Sequence, residues 1–206
     1  MRRLPLREVM IEKVAAEILS GSLIAYPTDT VYGLGCDPFN PAALVRLKKA
    51  KRRGGKPLPL LAGSYEIAER FAYFSPAARL LAQTFWPGAL TLVVLERIRF
   101  PEPITCGSGV VGLRVPDHPF LLRLLLLLDA PLVGTSANLS GVPPSITADE
   151  VEQQLGSAVD LILDGGRSQT SQPSTVVDVS TQEPKLLRAG IIPYARIKEA
   201  LHSQTA

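Results

Sequence analysis

The chain has few of the residues that build metal centres or disulfide frameworks. Its 206 residues include two cysteines, Cys36 and Cys106, and two histidines, His118 and His202. Two cysteines without a framework spacing predict reduced thiols rather than a disulfide-stabilised secreted domain. With so few thiol and imidazole groups, we predict no metal-ligand cluster.

Long apolar segments are also missing. The most apolar run, residues 120–128, contains Arg123, and it is far shorter than the ~20 residues of a membrane span. The basic N-terminal residues precede no apolar segment of the kind found in signal peptides. These absences predict a cytoplasmic protein that does not associate with membranes.

The motifs of several common enzyme classes are absent. No Gly-x-x-x-x-Gly-Lys-Ser/Thr loop occurs, which excludes a P-loop nucleoside triphosphatase. There is no Gly-x-Ser-x-Gly nucleophile elbow or Cys–His dyad, so no motif indicates a covalent enzyme intermediate. His118, which precedes Pro119, is predicted to be a turn residue. Aromatic residues make up 6% of the chain, too few to suggest the stacking platforms of single-strand RNA readers.

The overall composition is that of an ordinary globular protein. Hydrophobic residues make up 46% of the chain, and 22 basic and 19 acidic residues give a net charge of +3. A balance this mild suits an anionic small-molecule ligand and does not by itself indicate a nucleic-acid-binding protein. The length fits one domain, and we expect a single domain over residues 1–206.

Helical and extended patterns alternate irregularly along the chain. This alternation predicts an α/β fold with a twisted mixed β-sheet flanked by helices. Helices are predicted over residues 7–20, 41–53, 65–72, 76–84, 119–128, 148–155 and 193–202. Strands are predicted over residues 23–26, 57–61, 91–95, 110–115, 132–133, 161–163, 175–179 and 185–188.

A dense cationic cluster ends the second predicted helix. Lys51, Arg52 and Arg53 follow two further lysines, and Lys56 comes after a pair of glycines. Cations at a helix C-terminus complement the macrodipole by roughly 0.3–1 kcal/mol each, but charges this dense repel one another unless an anion lies among them. We therefore predict an anion site here, with a loose RNA-contacting patch as the alternative.

The segment Gly-Thr-Ser-Ala-Asn-Leu-Ser-Gly, residues 134–141, is a small-residue loop that follows a short apolar strand. Ser136 and Asn138 offer a hydroxyl group and an amide, and small residues allow backbone N–H groups to approach phosphate oxygens. Together with the cationic cluster, this loop indicates a site for a nucleoside triphosphate.

Further polar residues stand at the ends of predicted strands. The triplet at residues 28–30, Thr-Asp-Thr, directly follows a strand, a common position for a binding site in α/β sheets; a capped turn is the structural alternative. Arg114 and Arg188 each end a strand, where a guanidinium group suits recognition of a carboxylate or a phosphate. Ser174 precedes a strand, where its hydroxyl group could orient a ligand or simply satisfy the start of that strand.

Nine motifs follow one another along the chain: YPTDTVYGLG (26–35), KRR (51–53), KPLPL (56–60), WPGALTLV (86–93), GLRVPDHP (112–119), TSANLSG (135–141), DGG (164–166), STVVD (174–178) and LLRAG (186–190). Together they closely resemble the YrdC-like family of threonylcarbamoyl-adenylate synthases. The resemblance covers about residues 10–190. It implies a catalytic domain in the short form, without an additional C-terminal domain, and a twisted α/β sheet with a concave basic cavity.

The resemblance also implies roles for individual residues. The positions that match nucleotide-binding residues of the family are Lys51, Arg53, Lys56, Ser136, Asn138, Ser145 and Arg188. Among these, Lys51 and Arg53 are implied to be catalytic. The positions that match threonine-binding residues are Thr30, Arg114 and Ser174. Leu61 stands where some relatives place a histidine that contacts threonine.

The reaction that the resemblance implies joins L-threonine, bicarbonate and ATP, with Mg²⁺, into threonylcarbamoyl-adenylate and pyrophosphate. The product would feed the threonylcarbamoyl modification of the tRNA adenosine beside the anticodon, through downstream tRNA threonylcarbamoyl-transfer proteins. Two alternatives remain open: a non-catalytic protein that binds double-stranded RNA or ribosomes through the basic cavity, and a related synthase with another acceptor. Threonine and serine differ by one methyl group, which is worth at most ~1–3 kcal/mol of discrimination.

Overall fold

The computed structural model describes residues 1–6 and 11–202. Over these residues the chain forms eight α-helices, which are α1 Ile11–Leu19, α2 Pro41–Ala50, α3 Tyr65–Phe71, α4 Pro76–Phe85, α5 Glu102–Thr105, α6 Pro119–Leu128, α7 Ala148–Leu155 and α8 Tyr194–His202. None of these helices combines the length and apolar character that crossing a membrane requires.

The same described residues form twelve strands. They are β1 Arg2–Pro5, β2 Ile24–Tyr26, β3 Gly33–Gly35, β4 Leu60–Leu61, β5 Ala72–Tyr73, β6 Leu90–Glu96, β7 Val110–Arg114, β8 Leu132–Val133, β9 Thr135–Ser136, β10 Leu161–Asp164, β11 Thr175–Asp178 and β12 Lys185–Arg188.

The strands divide between two mixed sheets. One has the order β1-β10-β2-β3-β9, and the other has the order β12-β11-β6-β7-β4-β8 with β5 paired to β6. One of the points where the chain changes sheet lies between β8 and β9, because β8 pairs with β4 whereas β9 pairs with β3. The predicted mixed α/β architecture with flanking helices is confirmed, and its strands form two sheets rather than one.

Several helices begin where a polar side chain precedes a proline. Asn40 Oδ1 accepts a hydrogen bond from the Ala43 N–H at 3.0 Å, and Pro41 occupies the first turn of α2. Ser75 caps α4 in the same way, and His118 caps α6. A capping side chain satisfies a free N–H group, and proline has no N–H to lose at that position. His118 is therefore part of a helix start, in line with its prediction as a turn residue.

Two apolar clusters fill the interior. The larger one packs α2, α4 and the strands of the seven-stranded sheet together, and the smaller one packs α1 and α6 against β2 and β10. The smaller cluster includes Val14, Ile18, Leu121 and Leu124, which recur at helical spacing and are all buried. These two helices pack against β2, whose end leads into the Thr-Asp-Thr triplet at residues 28–30.

Element boundaries differ from the sequence prediction where pairing is non-local. The predicted helix over 7–20 is seen as α1, and residues 7–10 lie outside the described residues. The predicted strand over 57–61 shortens to Leu60–Leu61, because Pro57 and Pro59 have no N–H to donate to a neighbouring strand. Five elements, β1, β3, β5, β9 and α5, were not predicted.

The last residue of β3, Gly35, offers a direct test of this packing. A Cβ atom on Gly35 would lie 2.4 Å from the Val133 carbonyl oxygen and 2.8 Å from the Tyr26 hydroxyl, two atoms that are hydrogen-bonded to each other at 2.9 Å. Gly35→Ala is expected to lower the free energy of unfolding by roughly 1–3 kcal/mol, as overpacking of a core does. Gly54→Ala is the matched control, since no atom lies within 4 Å of its added Cβ. Equal denaturation midpoints for the two variants would contradict this account.

Candidate active site

The end of α2 divides the cationic cluster between the interior and the surface. The Arg52 N–H donates to the Lys49 carbonyl at 3.0 Å, and the Arg53 N–H donates to the Lys48 carbonyl at 2.9 Å; this pair of hydrogen bonds is a Schellman motif. Arg52 takes the left-handed conformation, with φ of 49°. The motif leaves Lys51 buried, Arg52 exposed and Arg53 half-buried.

Lys51 holds the small-residue loop at residues 134–141. Its side chain is 1% exposed. The ammonium group donates to the Ser136 carbonyl and, at 2.8 Å, to the Asn138 carbonyl, with Asn138 Oδ1 at 3.5 Å. All three donors of this lysine are thus directed at the loop. The predicted contact between Lys51 and ATP stays a prediction.

Burial changes the proton affinity of this lysine. Loss of water around the ammonium group, with a smaller contribution from the positive charge of Arg53, lowers the pKa of Lys51 from its ordinary value of 10.5 to about 7. The carbonyl oxygens around it favour the charged form and oppose this shift. Its charge state is therefore sensitive to any anion that binds nearby.

Asn138 and Ser145 complete the loop from within. Asn138 Nδ2 donates to the Leu139 and Val142 carbonyls at 2.8 and 2.7 Å. Ser145 is fully buried, and its hydroxyl group donates to the Ala137 carbonyl at 2.6 Å. Both side chains have structural partners here, and Ser145 lines neither of the cavities described next.

A cavity of about 340 Å³, here called the loop cavity, lies between the end of α2 and this loop. Its lining consists of Lys51, Arg53, Gly54, Gly55, Lys56, Ser136, Asn138, Ser140 and Gly141. Lys56 is exposed and Arg53 is half-buried, so their cationic groups can reach a ligand. The Ser136 hydroxyl group has no hydrogen-bond partner among the described residues and is equally available.

A second cavity of about 430 Å³, here called the sheet cavity, lies on the face of the seven-stranded sheet. Residues of β6, β7 and β11 line it, together with Thr30 and Ser136. Arg53 and Ser136 line both cavities. The two cavities are therefore adjacent parts of one site.

Arg114 lies at the end of β7 and is 6% exposed. Its Nε donates to the Gly88 carbonyl at 2.8 Å, its Nη1 donates to Thr30 Oγ1 at 3.1 Å, and its Nη2 forms an ion pair with Asp29. Burial lowers the pKa of Arg114, and the Asp29 carboxylate opposes that shift. A guanidinium group has five donors, so one on each terminal nitrogen remains without a partner among the described residues.

Ser174 also lines the sheet cavity. Its hydroxyl group is 2.8 Å from Thr91 Oγ1 and accepts from Arg188 Nη2 at 3.0 Å. Arg188 also donates twice to the Ser174 carbonyl, at 2.8 and 3.1 Å. Partial desolvation, followed by the charges of Arg114 and Arg53, lowers the pKa of Arg188. This field attracts a negatively charged ligand.

The structure brings most of the predicted residues together. Thr30, Arg114, Ser174 and Arg188 line the sheet cavity, and Lys51, Lys56 and Asn138 line the loop cavity. Ser145 is the predicted residue that stays apart from both. Leu61 lines the sheet cavity as the register partner of Arg114, so an apolar side chain lies beside the guanidinium group.

Sequence reasoning gave no role to several residues of this site. Asp29 pairs with Arg114, and Thr135 Oγ1 accepts from Arg53 at 3.3 Å. Thr91 and Asp178 also line the sheet cavity. The Thr-Asp-Thr triplet was the one signal that pointed to Asp29. Thr91 and Asp178 lie within strands, and a strand pattern does not tell which face meets the cavity.

Among the residues that the structure describes, no group of three or more His, Cys, Asp or Glu side chains is placed to hold a metal ion. The described lining of the site is rich in cationic and hydroxyl side chains.

The fold and the site define an α/β protein with an arginine-lined cleft suited to a carboxylate and to phosphate groups. The Sua5/YciO/YrdC family model, described as telomere recombination, matches residues 16–190. The chain belongs to this family.

Three relatives show the extent of the similarity. A threonylcarbamoyl-AMP synthase of Thiobacillus denitrificans is 40% identical over 176 residues, which are 84% of this chain and 92% of the relative. One from Vibrio parahaemolyticus is 37% identical over 183 residues, which are 87% of this chain and 98% of the relative. The crystal structure of Pyrococcus abyssi Sua5 complexed with L-threonine superposes with a TM-score of 0.90 at 37% identity. The superposition covers 97% of this chain and 59% of that longer chain.

The pKa of Lys51 makes the stability of the protein depend on pH. Between about pH 7 and 10.5 the unfolded chain keeps the lysine proton that the folded chain releases, so stability rises with pH in this window. The free energy of unfolding of the wild type is expected to increase from pH 7 to 9 relative to that of Lys51→Met, by at most about 1.4 kcal/mol per pH unit. The free energies of unfolding of the two proteins are measured by urea denaturation across this pH range. If they change in parallel with pH, Lys51 keeps its ordinary pKa in the folded protein.

Proposed function

We propose that this chain is an L-threonylcarbamoyladenylate synthase, a nucleotidyltransferase that acts as one catalytic domain over residues 1–206. Its substrates would be L-threonine, bicarbonate and ATP, and its products threonylcarbamoyl-adenylate and pyrophosphate. One observation carries the proposal: a cavity with a buried arginine and hydroxyl groups adjoins a cavity with cations and a small-residue loop, and Arg53 and Ser136 line both. The names of the relatives support the same activity.

The sheet cavity would hold threonine. The two unpartnered donors of Arg114 form a fork that suits the amino-acid carboxylate. The hydroxyl groups of Thr30 and Ser174, both nearly buried, lie on the cavity wall beside it. Asp29 keeps the guanidinium group in place, so the carboxylate would meet a donor pair that needs little reorganisation.

The loop cavity would hold the phosphates of ATP. Arg53 and Lys56 provide positive charge, and the free Ser136 hydroxyl group provides a donor. Lys51 would act from beneath the loop, since its donors already fix the positions of Ser136 and Asn138. A bound phosphate would also favour the protonated form of Lys51. Arg188, at the mouth of the sheet cavity, would add charge near the α-phosphate.

The chemistry then follows from positioning. The threonine amine attacks the carbon of bicarbonate, water leaves, and a carbamate forms. A carbamate oxygen attacks the α-phosphorus of ATP, and pyrophosphate leaves. Because Arg53 borders both cavities, its guanidinium group would neutralise charge where the carbamate meets the phosphate. No step requires a nucleophile from the protein, consistent with the absence of such a motif.

Mg²⁺ would enter with ATP as part of the substrate. The described residues offer no cluster for a resident metal ion, and Mg²⁺ commonly keeps several waters while it binds substrate phosphates. No role in the mechanism above is assigned to a metal site of the protein. The product is a labile mixed anhydride that must reach an acceptor. Separate threonylcarbamoyl-transfer proteins would carry its threonylcarbamoyl group to tRNA.

The experiment for this proposal is pyrophosphate release in the presence of MgATP, with L-threonine and bicarbonate each omitted in turn. Release that requires both supports the synthase. Release that ignores threonine contradicts it. Salt-sensitive binding of double-stranded RNA by a folded but inactive protein would favour the RNA-binding alternative instead.

The location of the positive charge in the loop cavity can be tested with two lysines. Lys56 lines the loop cavity, whereas Lys49 is an exposed lysine of the same run that lines neither cavity. Lys56→Ala is expected to raise the KM for ATP about 10-fold or more, the loss of one charged hydrogen bond. Lys49→Ala should leave it within about twofold. Equal effects of the two variants would indicate a diffuse charge effect rather than a phosphate contact.

The role of Arg114 can be separated from its charge. Arg114→Lys keeps a cation beside Asp29 but loses the two-pronged donor arrangement. We expect the KM for L-threonine to rise roughly 10–100-fold, with a much smaller change in the KM for ATP. Thermal melting would verify that the variant folds, and Arg70→Lys, at an exposed ion pair with Asp129, serves as the control. An unchanged KM for threonine would remove the assignment.

A further inference from the structure

The sheet cavity extends well beyond the residues that the proposed reaction uses. Its volume of about 430 Å³ is in the range of sites for drug-sized ligands rather than for a lone amino acid. The groups assigned to threonine occupy one end, at Thr30, Arg114 and Ser174. Away from Arg114, the lining continues with Asp178, Val93 and Gly112, and with Val110 further along β7.

This far end is a mostly apolar slot whose floor includes a glycine. Asp178 on β11 is the register partner of Val93 on β6, and Val93 is the register partner of Gly112 on β7. These three residues form one row across the cavity floor, and glycine at the end of the row leaves the floor low. Pro59 borders the same point, since a Cβ on Gly112 would lie 3.5 Å from the Pro59 Cβ. A glycine inside a strand often marks the close approach of a ligand.

Asp178 is a carboxylate in a cavity whose other charged lining residues are Arg53, Arg114 and Arg188. Its Oδ1 accepts from both the N–H and the hydroxyl group of Ser180, at 2.9 and 2.6 Å. Its Oδ2 has no hydrogen-bond partner among the described residues. Asp178 forms no ion pair within the described parts of the chain, even with its register partner Lys185. One fixed oxygen is thus left as an acceptor at the edge of an apolar slot.

We propose that Asp178 determines the choice of nucleobase: the slot takes the flat adenine ring of ATP, and the free carboxylate oxygen accepts a hydrogen bond from its 6-amino group. This inference rests on the proposed function. A carboxylate accepts but does not donate, so it favours a 6-amino purine and opposes a 6-oxo purine. Arg53 lines both cavities, so phosphates bound in the loop cavity would lie next to the sheet cavity. The base of the same ATP molecule would then occupy the sheet cavity. A site that hydrogen-bonds a substrate group discriminates strongly against an analogue that lacks it.

The test compares ATP with ITP, which carries a 6-oxo group in place of the 6-amino group. Asp178→Asn keeps an acceptor for Ser180 and replaces the free carboxylate oxygen with an amide donor. The wild type is expected to prefer ATP, and the variant is expected to lower the ATP-to-ITP ratio of kcat/KM at least 10-fold. The KM for L-threonine should stay within twofold. A ratio within twofold of that of the wild type would overturn the proposal.

Binding measurements keep this inference separate from the proposed reaction. Dissociation constants for ATP and ITP, measured by calorimetry without threonine, should show the same loss of preference in Asp178→Asn. If the wild type makes no threonine-dependent pyrophosphate but shows this shift, the base assignment stands and the reaction falls. If the reaction occurs but the binding preference does not shift, the base assignment falls alone.

Two further variants guard against an effect on folding. Asp129→Asn, at an exposed carboxylate that lines neither cavity, should leave the ATP-to-ITP ratio unchanged. Gly112→Ala adds a Cβ that meets Pro59 and Thr91 side chains only at ordinary contact distance, 3.5 Å, so the fold should persist while the slot becomes shallower. We expect weaker ATP binding by at least fivefold with an unchanged affinity for L-threonine. Unchanged ATP affinity in a folded Gly112→Ala variant would place the base elsewhere.

Discussion

The burial of positive charge is the constraint on which the rest of this site depends. The residues Lys51 and Arg114 are 1% and 6% exposed, and a charge removed from water costs several kcal/mol unless fixed partners replace the solvent. Carbonyl groups of the small-residue loop surround Lys51, and Asp29, Thr30 and the Gly88 carbonyl surround Arg114. Each cation therefore fixes the loops that supply its oxygens. The cleft is ordered by the same charges that would attract the ligand.

The position of the cleft follows from the division of the strands between two sheets. The chain crosses from one sheet to the other between β8 and β9, and the loop after β9 is the one that Lys51 holds. The segment from β8 to β9 therefore has one strand in each sheet. This explains how a cavity with amino-acid-binding groups and a cavity with phosphate-binding groups come to share Arg53 and Ser136. A reaction that joins an amino acid to a nucleotide requires such a shared border.

The sequence predicts the parts of this structure that depend on local physics. The helices predicted to begin at residues 41 and 119 are observed to begin there, each at a proline that follows a capping side chain. β1 was not predicted because its partner, β10, lies some 160 residues away and sets its conformation through pairing. The sequence predicts the cationic cluster of the site, but the order of its residues does not tell which cation is buried in the fold. That choice is made by Arg52 in the left-handed conformation. The pairing of Asp29 with Arg114, likewise, exists only once the strands are assembled.

The central claim is that one site joins threonine, bicarbonate and ATP. The most direct measurement is mass spectrometry of the adenylate formed from ¹³C-bicarbonate, L-threonine and MgATP. The account predicts a threonine-containing adenylate that carries one ¹³C atom, because the carbamoyl carbon comes from bicarbonate. An adenylate of threonine without the label would mean that the carboxylate of threonine, not a carbamate, attacks the α-phosphorus, and this would contradict the assignment of Arg114 to that carboxylate.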